Sequence, residues 1–120
     1  MKIAVTSEGT DLDSRVDPRF GRARYFLVID TETNEVTTHD NAQNLNALQG
    51  AGVQAARNVS DLGVGALISG NVGPKAFATL QAAEIKVYVG AEGTVAEAVE
   101  KFKAGQLPSA DAANVEGHWI

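Results

Sequence analysis

Residues 65–102, GALISGNVGPKAFATLQAAEIKVYVGAEGTVAEAVEKF, decide the architecture of this chain. Two short apolar runs, 65–69 and 85–89, are each followed by a glycine-marked break and then by a segment whose apolar residues recur at helical spacing. The first segment opens with Gly73-Pro74, proline being tolerated at the first helical position, and places Ala76, Phe77, Leu80 and Ala83 on one face. The second opens with Thr94-Val95-Ala96-Glu97, the pattern of a capping box, and turns Val95, Ala98, Val99 and Phe102 inward. Apolar runs this short, separated by helices, are the mark of parallel strands covered on both faces. The stretch therefore predicts an α/β domain.

Outward from there, residues 51–62 predict a further helix with Val53, Ala56 and Val59 on its apolar face and Gly63 at its C-terminal cap. Residues 2–6 read as a buried strand followed by a long loop with Pro18 and Gly21 inside it, running to about Ala23. Residues 25–29 and 35–39 form a hairpin around a polar turn. The order β-β-β-α-β-α-β-α, with right-handed crossovers, predicts a five-stranded mixed sheet of spatial order 3-2-1-4-5 with helices on its faces. Residues 1–104 are read as one domain, and 105–120 as a small, polar tail that packs loosely until Trp119.

Composition narrows the function classes. With 120 residues the chain has the length of one domain, and 44% hydrophobic content with 21% charged residues is that of a soluble globular protein. The absence of cysteine excludes disulfides, thiolate catalysis and every thiolate-ligated zinc or iron-sulfur site. Ten Lys and Arg against fifteen Asp and Glu leave a net charge of −5, which argues against nucleic-acid and anionic-membrane partners. No apolar run approaches the roughly eighteen residues of a membrane span, and Met1-Lys2-Ile3 leads into a strand rather than a signal peptide, so the expected address is the cytoplasm.

In open α/β sheets, ligands sit where neighbouring strands diverge in their connections, here between the first and fourth strands. Segments 7–22, 70–75 and 90–94 reach that rim. Arg15, Arg19, Arg22 and Arg24 surround Phe20-Gly21 in the first. They read either as a guanidinium lip around an anion or as a surface loop whose arginines pair with Asp11, Asp13 and Asp17. Phe20 reads as a plug anchoring the loop. Gly70-Asn71-Val72-Gly73-Pro74-Lys75 offers backbone amides and a lysine at a helix start, which is either an anion cradle or simply a tight turn. Its glycine spacing and the following Ala76 do not match a P-loop. Gly93-Thr94 repeats the strand-to-helix geometry one strand further on, and Gly50-Ala51-Gly52 matches a dinucleotide fingerprint poorly because it follows a polar loop. His39 and His118 are the two side chains able to titrate near neutrality. Both read more readily as surface residues than as metal ligands. Asp11, Asp13 and Asp17 lack the spacing and closing Glu of an EF-hand.

The combination of Pro18-Arg19-Phe20-Gly21-Arg22, Asp30-Thr31-Glu32-Thr33, Gly50-Ala51-Gly52, Gly70-Asn71-Val72-Gly73-Pro74-Lys75-Ala76-Phe77, Gly93-Thr94-Val95 and Gly117-His118-Trp119 resembles the dinitrogenase iron-molybdenum cofactor biosynthesis family, small carriers related to nitrogenase accessory proteins. The resemblance implies a ribonuclease H-like three-layer α/β/α fold. It also implies a non-catalytic, monomeric carrier or scaffold for an anionic metal-sulfur cluster. A molybdenum-copper sulfide cluster held without covalent protein ligands suits a chain without cysteine; an iron-sulfur cluster or iron-molybdenum cofactor precursor is the alternative cargo. The residues expected to receive it are Arg15, Arg19, Phe20, Arg22, Asn71, Gly73, Lys75, Gly93 and Thr94. A regulatory module that accompanies a P-loop ATPase without any cluster is the competing reading. A ribonuclease H-like nuclease would need metal-binding carboxylates starting on the first strand, and Lys2-Ile3-Ala4-Val5-Thr6 has none.

Overall fold

The computed structural model describes residues 1–41 and 50–114. Among them the elements run β1 (Lys2–Ser7), β2 (Tyr25–Asp30), β3 (Val36–Asp40), α1 (Ala51–Ser60), β4 (Ala66–Ile68), α2 (Pro74–Ala82), β5 (Lys86–Tyr88) and α3 (Val95–Lys103). The sheet order is β3-β2-β1-β4-β5, as the alternation of elements predicts. β1 lies antiparallel to β2, with Val5 opposite Leu27, and parallel to β4, with Ala4 opposite Leu67. β5 continues the parallel half, and β3 completes the hairpin.

The two-residue period of the strands sorts their side chains into two cores. Ala4, Phe26, Val28, Leu67 and Val87 join α1 and α2 on one face. Ile3, Val5, Leu27, Ile29, Ala66 and Ile68 meet Val95, Ala98 and Val99 of α3 on the other. Helices cover both faces, so residues 3–7 of β1 are all buried. No helix among the described residues is long and apolar enough to cross a membrane.

Local chemistry explains where the helices begin and end. The capping box at the start of α3 is formed: Glu97 N donates to Thr94 Oγ1 at 3.1 Å, and Thr94 N donates to Glu97 Oε1 at 3.0 Å. The Thr94 amide and hydroxyl, both donating to Glu97 Oε1, lower the pKa of that carboxyl. α1 ends at Ser60 with Asp61 as C-cap, slightly earlier than the periodicity predicts, and Gly63 follows with φ 73°. On its inner face Ala55 is fully buried where Val53 is only half-buried, because Val53 lies at the margin of the buried stripe. Ala83 is exposed rather than inward, since α2 stops at Ala82 and Glu84 takes a left-handed conformation with φ 62°. Phe102 is half-buried and stands edge-on to Tyr88 at 5.2 Å.

Two segments are more ordered than their composition predicts. The long loop after β1 is tied down by three isolated bridges, Ser7 with Val16, Arg15 with Thr94, and Arg19 with Asn71. Residues 107–113, within the segment read as a loosely packed tail, instead line the outer edge of the sheet. Leu107 packs on the α3 side, Ser109 pairs with Tyr88, Ala110 N donates to Val87 O at 2.8 Å, and Ala110 and Ala113 reach the opposite core. A hydrogen-bonding edge left by β5 is thereby covered. His118 and Trp119 lie outside the described residues.

Candidate functional site

At the C-terminal ends of β1 and β4 the chain leaves in different directions, and two buried hydroxyls mark the gap. Thr6 Oγ1 donates to Asp17 O at 2.7 Å and lies 3.0 Å from Ser69 Oγ; Asp17 N donates back to Thr6 O at 3.0 Å. These bonds pin residue 17 over the gap. The Asp17 carboxylate turns inward and accepts from the backbone amides of Arg19 at 3.0 Å and Arg24 at 3.3 Å. Its pKa is raised, because burial outweighs those amides and the nearby Arg19 charge. Asp11 likewise uses its carboxylate on the Asp13 amide and the Ser14 hydroxyl. The Asp11 and Asp17 carboxylates thus order the loop backbone.

Phe20 is fully buried against Phe26, with ring centroids 5.5 Å apart, which bears out its reading as a plug. Two glycines allow the loop to lie against its neighbours backbone to backbone. A Cβ on Gly21 would come within 2.8 Å of Gly52 Cα at the start of α1, and one on Gly70 within 2.8 Å of Pro18 Cα. Arg19 bridges to Asn71, whose Nδ2 donates to Pro18 O at 2.9 Å. Gly73, extended at the N-cap of α2, offers no side-chain cap, Pro74 takes the first helical position, and Lys75 stands exposed in the first turn. Contacts thus join Pro18 and Arg19 of the loop to Gly70 and Asn71, just ahead of α2.

Arg15, Gly93 and Thr94 are organised differently. Arg15 bridges to Thr94, Val16 N donates to Gly93 O, Val95 N donates to Ser14 O, and Ala96 N donates to Leu12 O, each of the last three at 2.9 Å. With Thr94 N and Glu97 N engaged in the capping box, the first-turn amides of α3 already have protein acceptors. Gly93 and Thr94 thereby fasten the loop to the start of α3. α3 also covers the face opposite α1 and α2, so Arg15 belongs to the far rim.

His39 lies on the edge strand β3, opposite Phe26, with Nε2 3.1 Å from Thr37 Oγ1. Among the described residues no group of three or more His, Asp or Glu side chains is arranged to hold a metal ion. Pattern reading missed the buried polar pins Thr6, Ser69 and Asp17, and it missed Asn114. Asp17-Pro18-Arg19 does carry the signature of an Asx turn, an aspartate accepting from the amide two residues on. Asn114 has no local signal, since its partners are more than forty residues away.

The family model for the dinitrogenase iron-molybdenum cofactor matches residues 1–105. The chain belongs to that family. As a member of the dinitrogenase iron-molybdenum cofactor family it is similar to the apo form of the orange protein from Desulfovibrio gigas, with 48% identity, a TM-score of 0.93, and coverage of 95% of this chain and 96% of that one. It is also similar to a candidate NifB protein from Thermotoga of the DUF35 family, with 40% identity, a TM-score of 0.83, and coverage of 97% and 98%. An uncharacterized protein of Methanocaldococcus jannaschii is 30% identical over 109 residues, 89% of each chain. Family and fold together support a cofactor-binding or carrier role, with a metal-sulfur cluster as the class of cargo.

Proposed function

We propose that this family member is a non-catalytic, monomeric and cytoplasmic carrier or scaffold for an anionic metal-sulfur cluster, seated where the 17–24 loop meets the start of α2. The observation that carries the proposal is the Arg19–Asn71 bridge. It lays an arginine-rich loop across a helix start without a side-chain cap, while Asp11 and Asp17 spend carboxylate oxygens on the loop's own amides. Guanidinium groups and a lysine beside a helix start without a side-chain cap suit a large, soft anion. The absence of cysteine and of a ligand cluster among the described residues suits a cargo complete in its own sulfide. Molybdenum-copper sulfide is the composition favoured by the likeness to the orange protein. Arg19, Arg22 and Lys75 screen its charge, Asn71 and Gly73 shape the wall, Phe20 anchors the lip, and Arg15 flanks it from the far rim.

Incubation of the purified protein with tetrathiomolybdate and copper, followed by metal analysis and visible spectroscopy, tests this reading. Stoichiometric molybdenum and copper with a sulfide-to-metal absorption band are expected. Failure to bind them, with iron-sulfur reconstitution also failing, would instead favour a cluster-free module that partners a P-loop ATPase. The double substitution Arg19→Ala and Lys75→Ala should weaken retention by about tenfold or more at low salt, the equivalent of about 1.4 kcal/mol, and flatten its salt dependence. Unchanged retention would place the cluster elsewhere.

A further inference from the structure

The segment after α3 brings a side chain, Asn114, against the candidate site. Asn114 Oδ1 accepts from Val72 N at 2.7 Å, and Asn114 Nδ2 donates to Asn71 Oδ1 at 3.0 Å and to Gly70 O at 3.3 Å. Its backbone amide donates to Val72 O at 3.1 Å. One asparagine thereby engages Gly70 O, Asn71 Oδ1 and both backbone polar groups of Val72. Asn71 passes the constraint on, because its Oδ1 is held by Asn114 and its Nδ2 must then point to Pro18 O. Two side-chain amides in series connect the tail to the arginine loop.

We infer that Asn114 is a positioning residue for the crevice and that residues 106–114 act as a latch which sets where Arg19 lies. The functional half of this inference rests on the carrier reading above. Val72 is fully buried, so losing the acceptor for its amide leaves a donor without solvent. Asn114 itself is exposed, so undocking it uncovers little apolar surface. The Asn114 end of the latch can therefore release while Leu107 and Ala110 stay packed against the cores. Only an asparagine suits the position. Aspartate would still accept from Val72 N, yet its second oxygen would face Asn71 Oδ1 and Gly70 O, two acceptors. Asn71 would have to flip its amide and turn an oxygen toward Pro18 O, which breaks the tether to the loop.

Hydrogen exchange of the cluster-free protein and its Asn114→Ala and Asn114→Asp variants tests the relay directly. We expect exchange at the Val72 amide to rise at least tenfold in Asn114→Ala and to stay near wild type in Asn114→Asp. Exchange at the Arg19 amide should rise severalfold in both. Arg19 protection unchanged in both variants would overturn the inference. Release of the tetrathiomolybdate-copper product should be accelerated at least threefold by either substitution in the wild-type background and little affected in an Arg19→Ala background, a coupling expected of residues acting as one unit. Exchange that responds while wild-type and variant proteins release the cluster at equal rates would overturn the positioning role. A wild-type protein that binds no cluster would end the carrier reading, and the exchange result would still decide whether the latch exists.

Discussion

Asp17 is the residue on which the loop depends, and its chemistry has a sign that can be worked out. Its backbone is held by Thr6, and its carboxylate holds the amides of Arg19 and Arg24. Burial raises its pKa above the unfolded value, so the native state binds the proton more tightly than the unfolded chain does. Stability contributed by the protonated form is present below the unfolded pKa and is lost as pH rises through the native one. The stability of wild type relative to Asp17→Asn should therefore fall as pH is raised through and above the usual carboxylate range, measured by urea unfolding at a series of pH values. A difference that stays flat or grows with pH would refute the assignment of burial as the dominant cause. Asp30 and Glu97 have the opposite sign, lowered by backbone amides, and cancel in a comparison of two proteins that share them.

Among the elements, α2 and α3 end with the same hydrogen-bond motif built on different residues. After α3, Gly105 N donates to Phe102 O and Gln106 N to Lys101 O, with Gly105 at φ 70°. After α2, Glu84 N donates to Gln81 O and Ile85 N to Leu80 O, but the left-handed position is filled by Glu84 at φ 62°. A side chain with a Cβ in that conformation costs about 1 kcal/mol relative to glycine. Glu84→Gly should stabilise the protein by at most about 0.6 kcal/mol once the added flexibility of the unfolded chain, about 0.4–1 kcal/mol, is counted, read as a slightly higher urea midpoint with an unchanged slope. A clear loss would mean that the Glu84 side chain has a compensating role. At the other end of α3, removing the capping hydroxyl in Thr94→Ala should cost about 1 kcal/mol in the same assay.

For the whole molecule, the consequence of the fold lies at the sheet edges. β3 is an edge strand carrying Thr37, Thr38, His39 and Asp40, polar residues that discourage pairing with another chain. β5 has only Lys86 as a charged guard. Its Val87 is buried, and residues 109–110 of the tail supply the pairing that closes it. A chain truncated after Gln106 should therefore self-associate with rising concentration in sedimentation or size-exclusion experiments, while the full chain stays monomeric. A truncated chain that remains monomeric at high concentration would show that the tail is dispensable for covering the edge.

Periodicity, caps and punctuation were enough to determine the architecture. The apolar runs around Leu67 and Val87, the Gly73-Pro74 helix start and the Thr94 capping box are local signals, and one connectivity rule turns them into the observed sheet order. Phe20 was legible as a plug for the same reason, a large apolar residue in a polar loop. The division of the rim was not legible. Arg15 and Arg19 are four positions apart in sequence, yet one is tied to Thr94 and the other to Asn71, on opposite faces of the sheet. The first-turn amides of α3 looked available because their acceptors, Ser14 O and Leu12 O, come from a loop some eighty residues earlier. Asn114 reaches the crevice by a chain path that no pattern encodes. Hydrogen bonds within a turn or helix leave their signature in adjacent residues, whereas those between distant segments depend on how the packed layers bring backbone groups together, and only the tertiary structure decides them.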